Sequence, residues 1–138
     1  MTEAEKYTMK KILLTITLIL FSTNTMAEWT KVFENDDKDG YTIYADLTSI
    51  RKAGDRVKMW TLTDYKTEQK VSGVVFLSKT IRRDYDCMGE HTRILAFKLF
   101  SWNMEQGKRM RSYNQPQKWE ELQPESKDEI GWNIACGD

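Results

Sequence analysis

The stretch "RRDYDCMGEHTR", Arg82 to Arg93, brings two aspartates, a cysteine, a glutamate and the chain's single histidine close together. Three chemistries could use such a set. Asp84, Asp86, Cys87, Glu90 and His91 could hold a metal ion. Cys87 could act as a nucleophile with His91 as its base. Cys87 could also be half of a disulfide, with Cys136 as the partner. The alternating residues around Cys87 read as a strand, whose successive side chains point to opposite faces. Asp84 and Asp86 then share one face while Tyr85 and Cys87 share the other, so the metal set is dense in sequence but divided in space. A zinc site would also call for more His or Cys than remain.

Two further stretches carry residues of chemical interest. "NDDKDGYTIYAD" places Asn35, Asp37, Asp39, Gly40 and Asp46 at the first, third, fifth, sixth and twelfth positions of a calcium loop. The last position is Asp instead of the bidentate Glu, and the flanks read as strands instead of helices, so an acidic hairpin turn is the simpler reading. "GKRMRSYNQPQKW" interleaves Lys108, Arg109, Arg111 and Lys118 with Tyr113 and Trp119. Cations among aromatics suit a polyanion such as an acidic glycan. As a charged edge strand the same residues would discourage sheet-to-sheet aggregation.

The N-terminal part of the chain bears on the cysteine chemistry. Lys10 and Lys11 precede an apolar run from Ile12 to Phe21, followed by "STNT" and the small residue Ala27. This is the three-part plan of a secretory signal peptide, with Met9 as an alternative start. The apolar run is about half the roughly 20 residues that a membrane-spanning helix needs, so no transmembrane anchor is expected. Cleavage between Ala27 and Glu28 would divide the chain into a leader, 1–27, and one domain, 28–138. No cysteine follows the cut to carry a lipid. The domain loses three lysines and two glutamates from a balanced total of 21 basic and 21 acidic residues, which leaves a net charge near −1. That balance argues against a nucleic-acid partner. In an exported chain an even cysteine count points to a disulfide, so Cys87–Cys136 is the favoured pairing and Asp84, Asp86 and Glu90 read as solvated surface residues.

The elements that would position these residues are mostly strands. Trp29–Phe33, Tyr41–Asp46, Val57–Lys66, Val74–Cys87, Thr92–Trp102 and Lys108–Tyr113 are rich in β-branched and aromatic residues and are separated by Gly, Asn and Asp. Asp39-Gly40 reads as a tight turn with positive φ at glycine. "LTSIRKAGDR" reads as a loop with one helical turn. Near the C-terminus, Ser126 and Glu129 have capping-box spacing, Ile130/Ile134 and Trp132/Cys136 form two adjacent apolar pairs, and Gly137 follows as a terminator. Gly131 should weaken this helix by about 1 kcal/mol relative to alanine. The expected fold is α+β: one domain with an antiparallel meander of about six strands and a C-terminal amphipathic helix packed on one face and tied by a disulfide.

Taken in order, "EWTKV", "YTIYADLTSIRKAGDRVKMWTLTDYK", "YDCMGEHTRILAF" and "WNIACG" resemble the surface-adhesin protein E family of Gram-negative bacteria. The most specific parts are the strand from Trp60 to Lys66 and the Cys87/Cys136 pair. The resemblance implies an antiparallel sheet with a C-terminal helix, a disulfide, scope for a homodimer, and binding to host matrix proteins such as vitronectin and laminin. The expected function is therefore that of an exported binding protein, in the periplasm or at the cell surface, with no cofactor and no enzymatic activity. Its binding patch would comprise Lys108, Arg109, Arg111, Lys118 and Trp119. The alternatives are a periplasmic interaction module or a small carboxylate-dependent envelope enzyme. The absence of a phosphate loop and of a nucleophile–base pair weighs against the enzyme.

Overall fold

The computed structural model describes residues 27–137; the leader, apart from Ala27, lies outside them. Six strands follow one another in sequence order across a single antiparallel sheet: β1 (Thr30–Glu34), β2 (Tyr41–Ala53), β3 (Arg56–Val71), β4 (Val74–Asp86), β5 (His91–Phe100) and β6 (Arg109–Tyr113). A two-residue strand, β7 (Glu120–Glu121), pairs with the other end of the β5 edge, and the helix α1 (Lys127–Cys136) packs on one face. This is the expected meander with its C-terminal helix.

Two strands run further than expected. The polar stretch after Asp46 is no loop. It holds a wide bulge, with the register passing from Asp46↔Trp60 to Arg51↔Lys58. The bulge is stitched by Ser49, whose Oγ donates to the Asp46 carbonyl at 2.6 Å and accepts from the Trp60 amide at 2.9 Å. Beyond it the strand continues to Ala53 and turns through Gly54, whose φ of +62° suits the first central position of a type II′ turn. β3 likewise continues past Lys66 to Val71 and reverses at Ser72-Gly73, both at positive φ, as in a type I′ turn. At the first hairpin, Gly40 does not have positive φ. It is needed because a Cβ there would lie 2.0 Å from the Asn35 carbonyl oxygen.

The sheet has two unlike faces. On the helix-covered face, Ala45, Val57, Met59 and Tyr85 form a core with Ala135 of α1, flanked by Trp132, Ile134 and the two cysteines. A second cluster gathers Tyr65, Phe76 and Leu99. The helix meets the sheet through its smallest residues. Gly131 and Ala135 are its buried positions, between the two stripes of larger side chains that the sequence pattern singles out. Ser126 caps the helix by accepting from the Glu129 amide at 3.3 Å, and the Glu129 carboxylate accepts from the Glu125 amide at 2.9 Å. The capping box is therefore displaced by one residue on its return bond. Gly137 ends the helix in extended backbone and not in the left-handed conformation.

Candidate binding face

The structure resolves the Cys87 chemistry. Cys87 is bonded to Cys136 across a Cα–Cα distance of 5.5 Å, so neither sulfur is available as a nucleophile or a metal ligand. The bridge ties the end of β4 to the last turn of α1. His91 opens β5 opposite Asp86. Among the described residues no group of three His, Cys, Asp or Glu side chains is placed to hold a metal ion. In the calcium-like stretch, Asn35 accepts from the Asp37 amide at 2.9 Å, and Asp46 accepts from the Thr48 amide and hydroxyl further along β2. These carboxylates and amides serve turns.

Asp84 is not a solvated residue. It is fully buried on the face opposite α1, and two guanidinium groups converge on it. Arg56 bonds both of its oxygens, and Arg93 donates from Nη2 at 3.1 Å. Burial by itself would raise the carboxyl's pKa. The hydrogen bonds and charges of the two arginines outweigh it and hold the group below its usual range. Trp119 lies over both arginines, 5.1 Å from the Arg56 guanidinium and 4.6 Å from that of Arg93. The signal that could have marked Asp84 is its spacing from the hairpin turn. Asp84 pairs with Lys58 in the ladder and with Arg93 on the other side, so a carboxylate sits between cations in a cross-strand row.

The rows beside it explain the character of this face. Directly paired residues on adjacent antiparallel strands share a face. One row therefore runs Arg51, Lys58, Asp84, Arg93. The next runs Asp46, Trp60, Arg82, Ala96, and the third Tyr44, Leu62, Thr80, Lys98. Lys98 lies 5.3 Å from the centre of the Trp60 ring. Among the described residues, Lys58, Arg82 and Lys98 take part in none of the ion pairs. The acids nearest these cations are engaged: Asp84 by arginines, Asp46 by Thr48, and Asp64 by the Asn103 side chain and the Met104 amide. The last of these, with Ser78 donating to the Trp102 carbonyl, pins the β5–β6 loop over one end of the face. What remains is a half-exposed strip of cations and aromatic rings in which, among the described residues, Lys58, Arg82 and Lys98 have no ion-pair partner, while the acids Asp86 and Glu121 lie in a separate row at one end of the face.

The patch expected from sequence, Lys108 to Trp119, is exposed throughout but does not gather in one place. Arg109 and Arg111 lie on β6 opposite Phe100 and Leu99, and Lys108 immediately precedes them. The chain then runs along the edge of β5, so that Trp119 caps Arg93 near the opposite end, with Lys118 beside it. Of the five tryptophans, Trp102 and Trp119 are the exposed ones, at 64% and 38%. Trp29, Trp60 and Trp132 are partly buried.

A single twisted sheet with one face covered by a disulfide-tied helix, and the other bearing cations and rings, defines a small mostly-β domain with the character of a binding module. The family model for surface-adhesin protein E matches residues 29–137, and the chain belongs to that family. Among solved structures, Haemophilus influenzae protein E is similar in fold, with a TM-score of 0.56 at 14% identity over 83% of this chain and 87% of that one. Its second crystal form gives 0.57 at 13% identity, over 83% and 94%. Comparison with curated protein sequences finds no match. The protein is thus adhesin-like, in a family of adhesins and not of enzymes, and among the described residues no helix is long and apolar enough to cross a membrane.

Proposed function

We propose that this is an exported adhesin-like protein that attaches to acidic surfaces, host extracellular-matrix proteins or acidic glycans, through the face opposite α1. The observation that carries this reading is the unneutralised strip of Lys58, Arg82 and Lys98, set among Trp60 and Trp119. Half-exposed cations held on a rigid sheet are pre-organised, so a polyanion meets them without the ordering cost of free side chains. The rings add flat surfaces for sugar or peptide groups. The basic edge strand, with Lys108, Arg109 and Arg111, extends the positive surface beyond the end of this face. Membership of an adhesin family supports the same reading, and export is supported by the leader-like sequence before Glu28.

The test is binding of the purified protein to vitronectin, laminin and heparin at two salt concentrations. Saturable binding that weakens with salt is expected. The triple variant Lys58→Gln/Arg82→Gln/Lys98→Gln should lose more of it than a triple neutralisation of Lys108, Arg109 and Arg111. Absence of saturable binding to all three, with the protein confined to the periplasm, would sink the adhesin reading.

A further inference from the structure

The first turn of α1 leaves a cavity of about 60 Å³ against the helix-covered face of the sheet. Its floor is Ile43, Thr61, Thr63 and Ile81, and its walls carry Lys79, Arg83 and Lys127. This volume is enough for a few water molecules or one compact ion. The residues form two cross-strand rows: Ile43–Thr63–Lys79, and Thr61 beside Ile81. The helix adds Lys127 and Asp128 at the opening.

The charges of this cavity do not cancel. Asp128 is its one acid, and it is taken by Arg83 at 3.0 Å. Lys127 is exposed at the rim, lies over the Tyr41 and Tyr65 rings at 4.1 and 4.9 Å and donates to the Tyr65 hydroxyl at 3.4 Å, and among the described residues it forms no ion pair. Lys79 forms no ion pair among the described residues. Burial lowers its pKa, and the positive charges of Lys127 and Arg83 lower it further. Three cations and one carboxylate leave an excess of two positive charges around a small, partly open space lined by two threonines, with Lys127 at its exposed rim. The half-buried Lys79 ammonium, beside two other cations, gains from any group that supplies negative charge and acceptors there.

We propose that this cavity binds one small tetrahedral oxyanion, of the phosphate or sulfate class, with Lys79 and Lys127 as the charged contacts and Thr61 and Thr63 as hydroxyl donors. The oxyanion could come free from solution or as the terminal ester of a larger molecule. Such an ion neutralises the excess charge and fills the space. A flat aromatic or an extended chain would not fit the volume. The site is on the other side of the sheet from the adhesive face and stands whether or not that reading holds.

The test uses the full chain in thermal-shift and calorimetric titrations with inorganic phosphate and sulfate, against chloride at matched ionic strength. The oxyanions should raise the melting temperature saturably and chloride should not. Lys79→Met keeps the apolar stem and removes the charge. It should melt no lower than wild type without anion, and bind phosphate about tenfold to a hundredfold more weakly, the worth of one charge-assisted hydrogen bond. Asp128→Asn removes the internal competitor and should tighten binding. Equal binding of methyl phosphate would identify an ester-accepting mouth, and binding of the inorganic ion alone a closed pocket for the free ion. Amide shifts on titration should centre on Thr61, Thr63 and Lys79. No saturable effect beyond ionic strength, or the same effect in Lys79→Met and wild type, would overturn the proposal.

Discussion

Gly131 of α1 rests directly against the hydroxyl of Tyr85: a Cβ built on the glycine would lie 2.4 Å from that oxygen. Tyr85 is fully buried at the centre of the core, and its ring is held by Val57 on the neighbouring strand. The helix can approach the sheet this closely because position 131 has no side chain. Helix propensity alone gives the opposite view, in which glycine is a defect worth about 1 kcal/mol.

Gly131→Ala should therefore destabilise the protein, by about 1–3 kcal/mol, because overpacking outweighs the better helix propensity. Urea unfolding at neutral pH measures this. The companion change Tyr85→Phe removes the obstructing hydroxyl and should make Gly131→Ala less harmful. A Gly131→Ala variant as stable as wild type would show that the helix shifts freely on the sheet.

The disulfide closes a loop between positions 49 apart in sequence. By the chain-entropy account it contributes about 4 kcal/mol, a large share of the roughly 5–15 kcal/mol by which a domain is usually stable. Cys87→Ala and Cys136→Ala should each lower the melting temperature strongly, and the double variant should be no worse than either, because both remove the same bond. Two titratable thiols in the native protein would contradict the pairing.

Asp84 makes stability depend on acid. Its pKa is lowered in the folded state, so its contribution is complete above the unfolded carboxyl value, about 3.9, and is lost as pH falls through the folded value. Asp84→Asn should cost about 1–3 kcal/mol at pH 7, at the modest end for a buried ion because Arg56 is half-exposed and can be rehydrated. The gap between wild type and variant should narrow as pH is lowered from about 5 to below 3. A gap that stays constant across that range would show that shape, and not charge, is what position 84 requires.

Much of this architecture was legible in the sequence, and the missed parts share a cause. The alternating strands, the helix start at Ser126 and the Cys87–Cys136 bond follow from periodicity and composition, because each is set by local pattern and compartment. The extension of β2 through "LTSIRKA" was not visible, because a bulged, half-exposed strand carries no alternation of apolar and polar residues. Asp84 read as a surface residue because its burial depends on Arg56 and Arg93, each brought beside it by a different neighbouring strand. The cationic strip was hidden for the same reason. Lys58, Arg82 and Lys98 are scattered along three strands, and only the register aligns them. The basic residues from Lys108 to Lys118 are contiguous in sequence, yet the fold draws them out along the β5 edge.

The same geometry makes Trp119 a test of how the proposed binding face is held together. It covers the guanidinium groups of Arg56 and Arg93, the two cations that clamp Asp84, and it reaches them from a segment tied to β5 by the Gln117 amide and by β7. Cation–π contacts at exposed positions are worth about 0.5–1 kcal/mol each, so Trp119→Ala should lower stability by about 1–2 kcal/mol, and Trp119→Phe by less. Loss of the ring also frees the arginines to move, which should weaken heparin binding through lost pre-organisation although no charge has been removed. The salt dependence of binding should then keep its slope while affinity falls, whereas Lys98→Gln should flatten the slope by removing a contact charge. Measuring binding across a salt series for both variants separates the two effects. Identical slopes for wild type and Lys98→Gln would remove Lys98 from the binding face.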